Sequence, residues 1–332
     1  MTNFHNEITN VIFIHSKYMT RQFYTKSGQL LKIGTGSGTK WQWLKKGRPE
    51  EEKAQLHNEL VDNLLRTINC GYRHLDTAEV YTTQPEVAAA VKKSGIPREE
   101  FWITTKYFPG VSHQAALTKG PIEFVNKALK ELETDYLDLL LIHHPFVTPG
   151  LKDYSSLGDL WKEVIELKRQ GLVREIGVSN FAVPHLKEVF ESAGTEEFYP
   201  VVNQIEFHPF LQNQSKGIVD FCKEHNILIE AYGPLSPLFR ADEENENVAT
   251  FKQFLNELSS KYDKTEAQIL LRYTIQKGLL PITTSSNEER IKQSLEVYGF
   301  ELDDSDVNQI DELGSKFKFR KFFNDQYAAG FD

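Results

Sequence analysis

The feature that most constrains the fold of this chain is a repeat. Short apolar runs rich in Val, Ile, Leu and aromatics recur along it: YRHLD (72–76), FWITTK (101–106), YLDLLLIH (136–143), VREIGVS (173–179), VVNQIE (201–206), ILIEAY (227–232) and LLPITT (279–284). Between them lie stretches such as VNKALKELE and LWKEVIELKRQG, whose apolar residues stand three or four apart. The first pattern reads as buried strands and the second as amphipathic helices. Most run ends come at steps of about 30 residues, the size of one strand–helix unit. The last gap is longer and has room for a unit plus an insertion, placed at the acidic ADEENENV (241–248) and an extra helix. Ahead of residue 76 there is room for one more strand near 31–36 and a helix near 54–69, which completes eight units. FYTKSGQLLKI, with Ser-Gly at its middle, reads as a β-hairpin that plugs one end. Eight parallel units either close into a single (β/α)8 TIM barrel or lie open as a doubly wound sheet.

Length alone leaves this choice open. A chain of 332 residues gives roughly two domains at about 150 residues each, yet α/β barrels form one unit of about 250 residues or more. No low-complexity linker divides the sequence. The net charge of −9 (38 basic against 47 acidic residues) argues against nucleic acid as a partner, since such binders carry a basic face. It leaves a small anion open, because a local cluster of donors suffices. Cys70 and Cys222 sit in no C-x-x-C or metal-type spacing and read as buried hydrophobes of a reducing cytosol, with no metal site. No apolar run approaches the 18 or so residues of a membrane span. Near the start only residues 11–14 form an apolar run, short of the roughly 7–15 that a signal peptide needs. The expected location is cytoplasmic.

The reactive side chains fall at strand ends. Asp76 ends one run, Lys106 the next and His143 the one after, while Tyr81 follows Asp76 at the start of a helix-like stretch. Singly, a strand-end Asp is ordinarily a helix cap and a strand-end Lys a solvated charge. In a closed barrel all strand C-termini meet at one mouth and these groups converge, whereas an open sheet spreads them along an edge. Together they suit proton donation to a carbonyl. A Tyr hydroxyl is a poor acid at neutral pH, a nearby ammonium favours its phenolate, and a carboxylate holds the ammonium. His143 would hydrogen-bond the substrate oxygen. A proton alone reduces nothing, so a hydride donor is required, and nicotinamide cofactors supply one.

The run GYRHLDTAEVY (71–81), followed by TTKYFP, LDLLLIHHP, REIGVSNF, VVNQIEFHPFLQNQ and the AYGPL stretch, resembles the aldo-keto reductases, in that family's order. The resemblance runs from about residue 22 to 300. It implies a single (β/α)8 barrel with an N-terminal β-hairpin and a C-terminal tail over the barrel mouth. It implies Tyr81 as general acid, Lys106 and Asp76 tuning it, and His143 orienting the carbonyl. It implies that Ser179, Asn180 and Gln204 bind the carboxamide of the cofactor and that Tyr232 stacks on its nicotinamide. Gly36, Ser37 and Gly38 would flank the middle of the cofactor, and Gly233 and Leu235 the loop beyond. Without the family, Ser179-Asn180 reads as a helix N-cap. GTGSGTK fits neither the dinucleotide fingerprint nor a P-loop.

Many family members hold the adenosine 2′-phosphate with a Pro-Lys-Ser stretch and an Arg beyond it. Here the stretch is PITTSSNEERI (281–291): Ser285, Ser286 and Arg290 align, but Thr284 stands in the Lys position. The expected cofactor is NADPH, with discrimination against NADH loosened. GSGTKW (36–41), FLQNQ, TEAQILLRYT and FFNDQY (322–327) resemble the fungal branch that reduces conjugated polyketones, ketopantoyl lactone and α-keto amides. His144, where many members carry Trp, together with Trp41, Phe108, Phe323 and Tyr327, is expected to shape a pocket for an α-keto carbonyl substrate. For the aromatics, core filling is the alternative. The rival functions are an aldose or xylose-type reductase, a D-arabinose dehydrogenase, and a nicotinamide-sensing regulatory subunit. Partners beyond a small-molecule carbonyl are not expected, and the chain is a monomer or homodimer. Residues 1–18 have no counterpart in the resemblance; they are a disordered extension, or Met19 is the true start, ahead of a barrel spanning 19–332.

Overall fold

The computed structural model describes residues 21–111, 114–146, 154 and 156–328. The expected N-terminal extension lies outside them. Eight strands follow one another in a closed parallel barrel, in chain order: β1 (Gly34–Gly36), β2 (His74–Asp76), β3 (Trp102–Tyr107), β4 (Leu137–Ile142), β5 (Val173–Ser179), β6 (Val202–Glu206), β7 (Leu228–Tyr232) and β8 (Leu280–Thr283). β2 to β8 fall on the apolar runs expected for them, and β1 within the strand expected near 31–36. β3 and β4 are buried along their whole length. A parallel strand flanked by helices has no solvent face, so these strands show no apolar–polar alternation, and the polar residues within them, Thr104, Thr105, Lys106 and Asp138, are buried as well.

The described residues fall into two compact units, one of residues 23–203 and the other of residues 204–328 with Arg21 and Gln22. In the first, the register levels the strand ends: Gly36 pairs with Asp76, Asp76 with Thr104, Lys106 with Leu141, and Leu141 with Gly177. Asp76, Lys106, His143 and Ser179 therefore come out at the same end. Gly177 has to be a glycine here, because a Cβ on it would stand 2.7 Å from Leu141 Cδ2 and 2.8 Å from the Val202 carbonyl. The expected helix near 54–69 is Asn58–Asn69, capped by His57. Gly171 (φ +73°) follows the helix Leu157–Arg169, in the left-handed conformation that ends many helices.

The expected hairpin is smaller than two strands. It is one antiparallel bridge, Tyr24 with Leu30, turned at Gly28 (φ +84°). Thr25 Oγ1 takes the backbone N–H of Gln29, a local bond that replaces further ladder pairing. Phe23 packs on Trp102 with ring centroids 4.4 Å apart, so the hairpin covers the N-terminal end of β3.

In the second unit Tyr232 pairs with Ile282 across β7 and β8. The long gap between these strands holds the helices Ser236–Phe239, Glu246–Tyr262 and Glu266–Gln276. Asn245, from the acidic stretch, caps the second through Asn247 N and Val248 N. Thr265 and Gln268 cap the third reciprocally, the capping-box pattern.

Candidate active site

In the first unit the structure brings Asp76, Tyr81, Lys106 and His143 together. Lys106 Nζ donates to Asp76 Oδ1 at 2.6 Å and to the Thr77 carbonyl at 2.9 Å, and both charged side chains are buried. A buried ion pair offsets its desolvation only with good geometry and further hydrogen bonds; here the ammonium has both. Nζ lies 5.3 Å from the Tyr81 ring centroid. The Tyr81 and His143 rings meet edge to face at 5.6 Å. His143 follows β4 directly and its N–H continues the ladder to the Tyr107 carbonyl at 2.9 Å.

Tyr81 ends a 3-10 turn, Glu79–Tyr81, closed by Thr82 at φ +61°. Lys45 Nζ donates to the Thr82 carbonyl at 2.7 Å and to Glu86 Oε2 at 2.9 Å, pinning the turn with a buried charge. Ser37 fixes the other side. Its N–H donates to the Asp76 carbonyl at 2.8 Å, and its hydroxyl lies 2.8 Å from that of Thr83. Gly38 is the close neighbour of Tyr81: a Cβ there would stand 2.8 Å from the ring.

The electrostatics correct one expectation. Lys106 does pull the Tyr81 pKa down, but burial raises it by more, and the net shift is upward. Removing the ring from water costs the phenolate more than one ammonium returns. Tyr81 is thus held in its neutral, protonated form, with the Lys106 ammonium beside its ring. For His143, burial first and Lys106 second push the pKa well below 6.5. Its imidazole is neutral and has one N–H to donate.

Ser179 ends β5, and Asn180 takes the left-handed conformation at φ +62°, which Asn tolerates. Asn180 Nδ2 donates to the His143 carbonyl at 2.9 Å and to Ser179 Oγ at 3.0 Å. The next helix begins at Val183 with Ala182 as its cap residue, so the N-cap reading of Ser179-Asn180 fails. Phe108 stands edge-on to His143 at 6.3 Å and to His144 at 5.4 Å. His144 is sandwiched between Phe108 and Phe146, whose ring stacks on it at 5.9 Å, and burial takes its pKa to about 3. Trp41 is buried with its ring edge-on to His57, the position of a core filler.

In the second unit, Gln204 Nε2 donates to Glu230 Oε2 at 2.8 Å, which fixes the amide between β6 and β7. Tyr232 is the last residue of β7, followed by Gly233 at φ +68° and by Leu235, which leads the helix Ser236–Phe239. The tail crosses the ends of β6 and β7. Glu206 accepts the backbone N–H of Lys321 at 3.0 Å and of Phe322 at 3.2 Å, and the Phe322 ring meets Tyr232 at 5.7 Å. Phe322 is thus a tail aromatic beside Tyr232. Tyr327 is fully buried under the Arg320 guanidinium, 4.3 Å from its ring centre.

At the end of β8, Thr284 Oγ1 is buried without a hydrogen-bond partner among the described residues. Ser285 Oγ accepts the Asn287 N–H at 3.1 Å, and Asn287 Oδ1 caps the helix Glu288–Leu295 at Arg290 N, 3.0 Å away. Arg290 is exposed. Hydroxyls, an oriented helix start and a guanidinium form a donor set that fits a phosphate monoester. Among the described residues no acid, His or Cys cluster fits a metal ion, and no helix is long and apolar enough to cross a membrane.

Several supports have no local sequence signal: Glu79, the Lys45–Glu86 pair, Phe322 and Glu206. Each acts through a partner distant in the chain.

The description "Aldo/keto reductase family" matches residues 32–315. Over 316 residues the chain is 39% identical to the NADPH-dependent alpha-keto amide reductase of Saccharomyces cerevisiae, covering 95% of this chain and 96% of that protein. It is 37% identical over 273 residues to the NAD/NADP-dependent indole-3-acetaldehyde reductase of Schizosaccharomyces pombe, 82% of this chain and 90% of that one. Among solved structures, a Bombyx mori aldo-keto reductase in complex with NADP superposes with a TM-score of 0.72 at 27% identity, covering 93% of this chain and 97% of that one.

Proposed function

This chain belongs to the aldo/keto reductase family, oxidoreductases of carbonyl groups that use nicotinamide cofactors, and from that premise we propose that it reduces α-keto carbonyl compounds with NADPH. The observation that carries the reading is the buried Lys106–Asp76 pair beside the Tyr81 ring, with His143 edge-on to that ring. When bound, the reduced nicotinamide supplies the hydride. Neutral His143 donates a hydrogen bond to the carbonyl oxygen and sets its direction. Tyr81 gives that oxygen its proton as negative charge builds. Lys106 stabilises the phenolate left behind, and Asp76 keeps the ammonium in place. Acid catalysis of this kind contributes about 10²–10⁴-fold. Asn180 holds the His143 carbonyl and so fixes the backbone that carries the imidazole.

The cofactor preference rests on Ser285, Ser286, Arg290 and the buried Thr284 hydroxyl, which suit a 2′-phosphate; Thr284 in place of Lys weakens the preference without reversing it. The substrate class is supported by His144 standing beside Phe108 where many family members carry the larger Trp, and by the relative named for alpha-keto amide reduction. The test is a steady-state screen of α-keto amides, α-diketones, simple aldehydes and pentoses with NADPH and NADH. The proposal expects the highest kcat/KM for an α-keto compound with NADPH. A preference for pentoses, or for NADH, would overturn it.

A further inference from the structure

The 3-10 turn that ends in Tyr81 begins at Glu79. The proposed reduction makes no use of this carboxylate, yet it is only 3% exposed. A buried carboxylate is costly unless its oxygens are satisfied, and both are. Oε2 accepts the backbone N–H of Phe108 at 3.0 Å, and Oε1 accepts the Thr118 hydroxyl at 2.8 Å. Phe108 lies directly beyond β3, two residues after Lys106, and its ring faces His143 and His144. One side chain therefore ties the turn carrying the general acid to the aromatic that stands beside the carbonyl-orienting histidine. The Phe108 N–H has left the β-ladder, so its position depends on this bond.

We propose that Glu79 is a positioning residue that sets the spacing between Tyr81 and Phe108 and thereby governs how tightly the carbonyl substrate is held. The inference rests on the proposed function in taking Phe108 as a wall of the substrate pocket. Alanine at position 79 removes the carboxylate that accepts from the Phe108 N–H and the Thr118 hydroxyl and frees the Phe108 segment to move. Glutamine keeps both links: its Oε1 accepts from Phe108, and its Nε2 donates to the Thr118 oxygen, which can be acceptor as well as donor.

The experiment compares Glu79→Ala, Glu79→Gln and Thr118→Val with the wild type, reading KM, kcat and the Kd for NADPH from fluorescence. Glu79→Ala should raise KM for the preferred carbonyl about 10-fold, the low end of what a lost pocket contact is worth. Its kcat should stay within about 2-fold and its NADPH Kd unchanged, the signature of lost uniform binding. Glu79→Gln should return KM to near the wild-type value, and Thr118→Val should raise it in the same direction by less. An unchanged KM in folded Glu79→Ala overturns the proposal, as does an equal loss of kcat and NADPH affinity in both Glu79 variants. If Glu79→Ala does not fold, Thr118→Val decides by the same criterion. A wild type that favours a different carbonyl class overturns the substrate reading alone, because the variants are then compared on that class; a wild type that reduces no carbonyl overturns both.

Discussion

Gly38→Ala puts a methyl group where the Tyr81 ring now lies. The added Cβ would stand 2.8 Å from Cε2 and Cζ of the ring and 3.2 Å from Cδ2. Carbon pairs are comfortable at about 3.5–4.0 Å, so the ring has to retreat by about 0.7–1 Å. It cannot do so freely, because the Thr82 carbonyl behind it is held by Lys45 and the His143 edge faces it. A misplacement of about 1 Å costs up to about 10² in rate, or about 2.7 kcal/mol of barrier. Crowding by one methyl costs about 1–3 kcal/mol of stability besides, which a chain of this size survives. The assay is single-turnover reduction of an α-keto amide with prebound NADPH, beside a fluorescence titration of NADPH. The expected result is a drop in the hydride-transfer rate of about 30- to 100-fold with Kd little changed. An unaltered rate would refute the account of Tyr81 placement. So would a loss confined to Kd, which would make Gly38 a cofactor contact and nothing more.

Arg290→Ala should lower the NADPH/NADH ratio of kcat/KM by about 10-fold, since a charged hydrogen bond is worth about 1.5–3 kcal/mol; an unchanged ratio would remove Arg290 from the phosphate site. Acid should destabilise the protein through its buried imidazoles. His74 and His144 have folded pKa values of about 3, below the unfolded value near 6.5, so the unfolded state binds more protons and stability falls as pH drops from about 6.5 toward 3. At pH 5 each contributes about 1.5 units, or about 2 kcal/mol of lost stability. Urea unfolding at pH 7 and pH 5 reads this loss, and His144→Asn should reduce it by about 2 kcal/mol; equal stability of the wild type at both pH values would contradict the burial of these rings.

Asp76, Lys106 and His143 were legible in the sequence because each closes a short run rich in Val, Ile, Leu and aromatics, and in a parallel barrel the ends of such runs lie at one mouth. β5 matches its expected run, 173–179, although Arg174 and Glu175 stand within it. The supports were not legible. Glu79 and Phe108 are 29 residues apart, and Lys45 and Glu86 are 41 apart. Periodicity reports which face a residue takes within its own element, and says nothing of a bond to another. The left-handed Asn180 was hidden because Ser-Asn before a helix is also a capping pattern. In the tail, the place of Phe322 beside Tyr232 was not legible, since a segment without periodicity gets its orientation from its anchor, here Glu206. The sign of the Tyr81 shift failed for another reason: spacing reveals that a charge is near, but not how much water is lost.

The central claim is that Tyr81 is the proton donor of a carbonyl reduction, with its lysine and histidine as helpers. Reduction of an α-keto amide by Tyr81→Phe with saturating NADPH tests it directly. Removal of the hydroxyl alone should lower kcat by about 10²–10⁴-fold while NADPH Kd stays close to that of the wild type. A variant that keeps full kcat would contradict the assignment of Tyr81 as general acid.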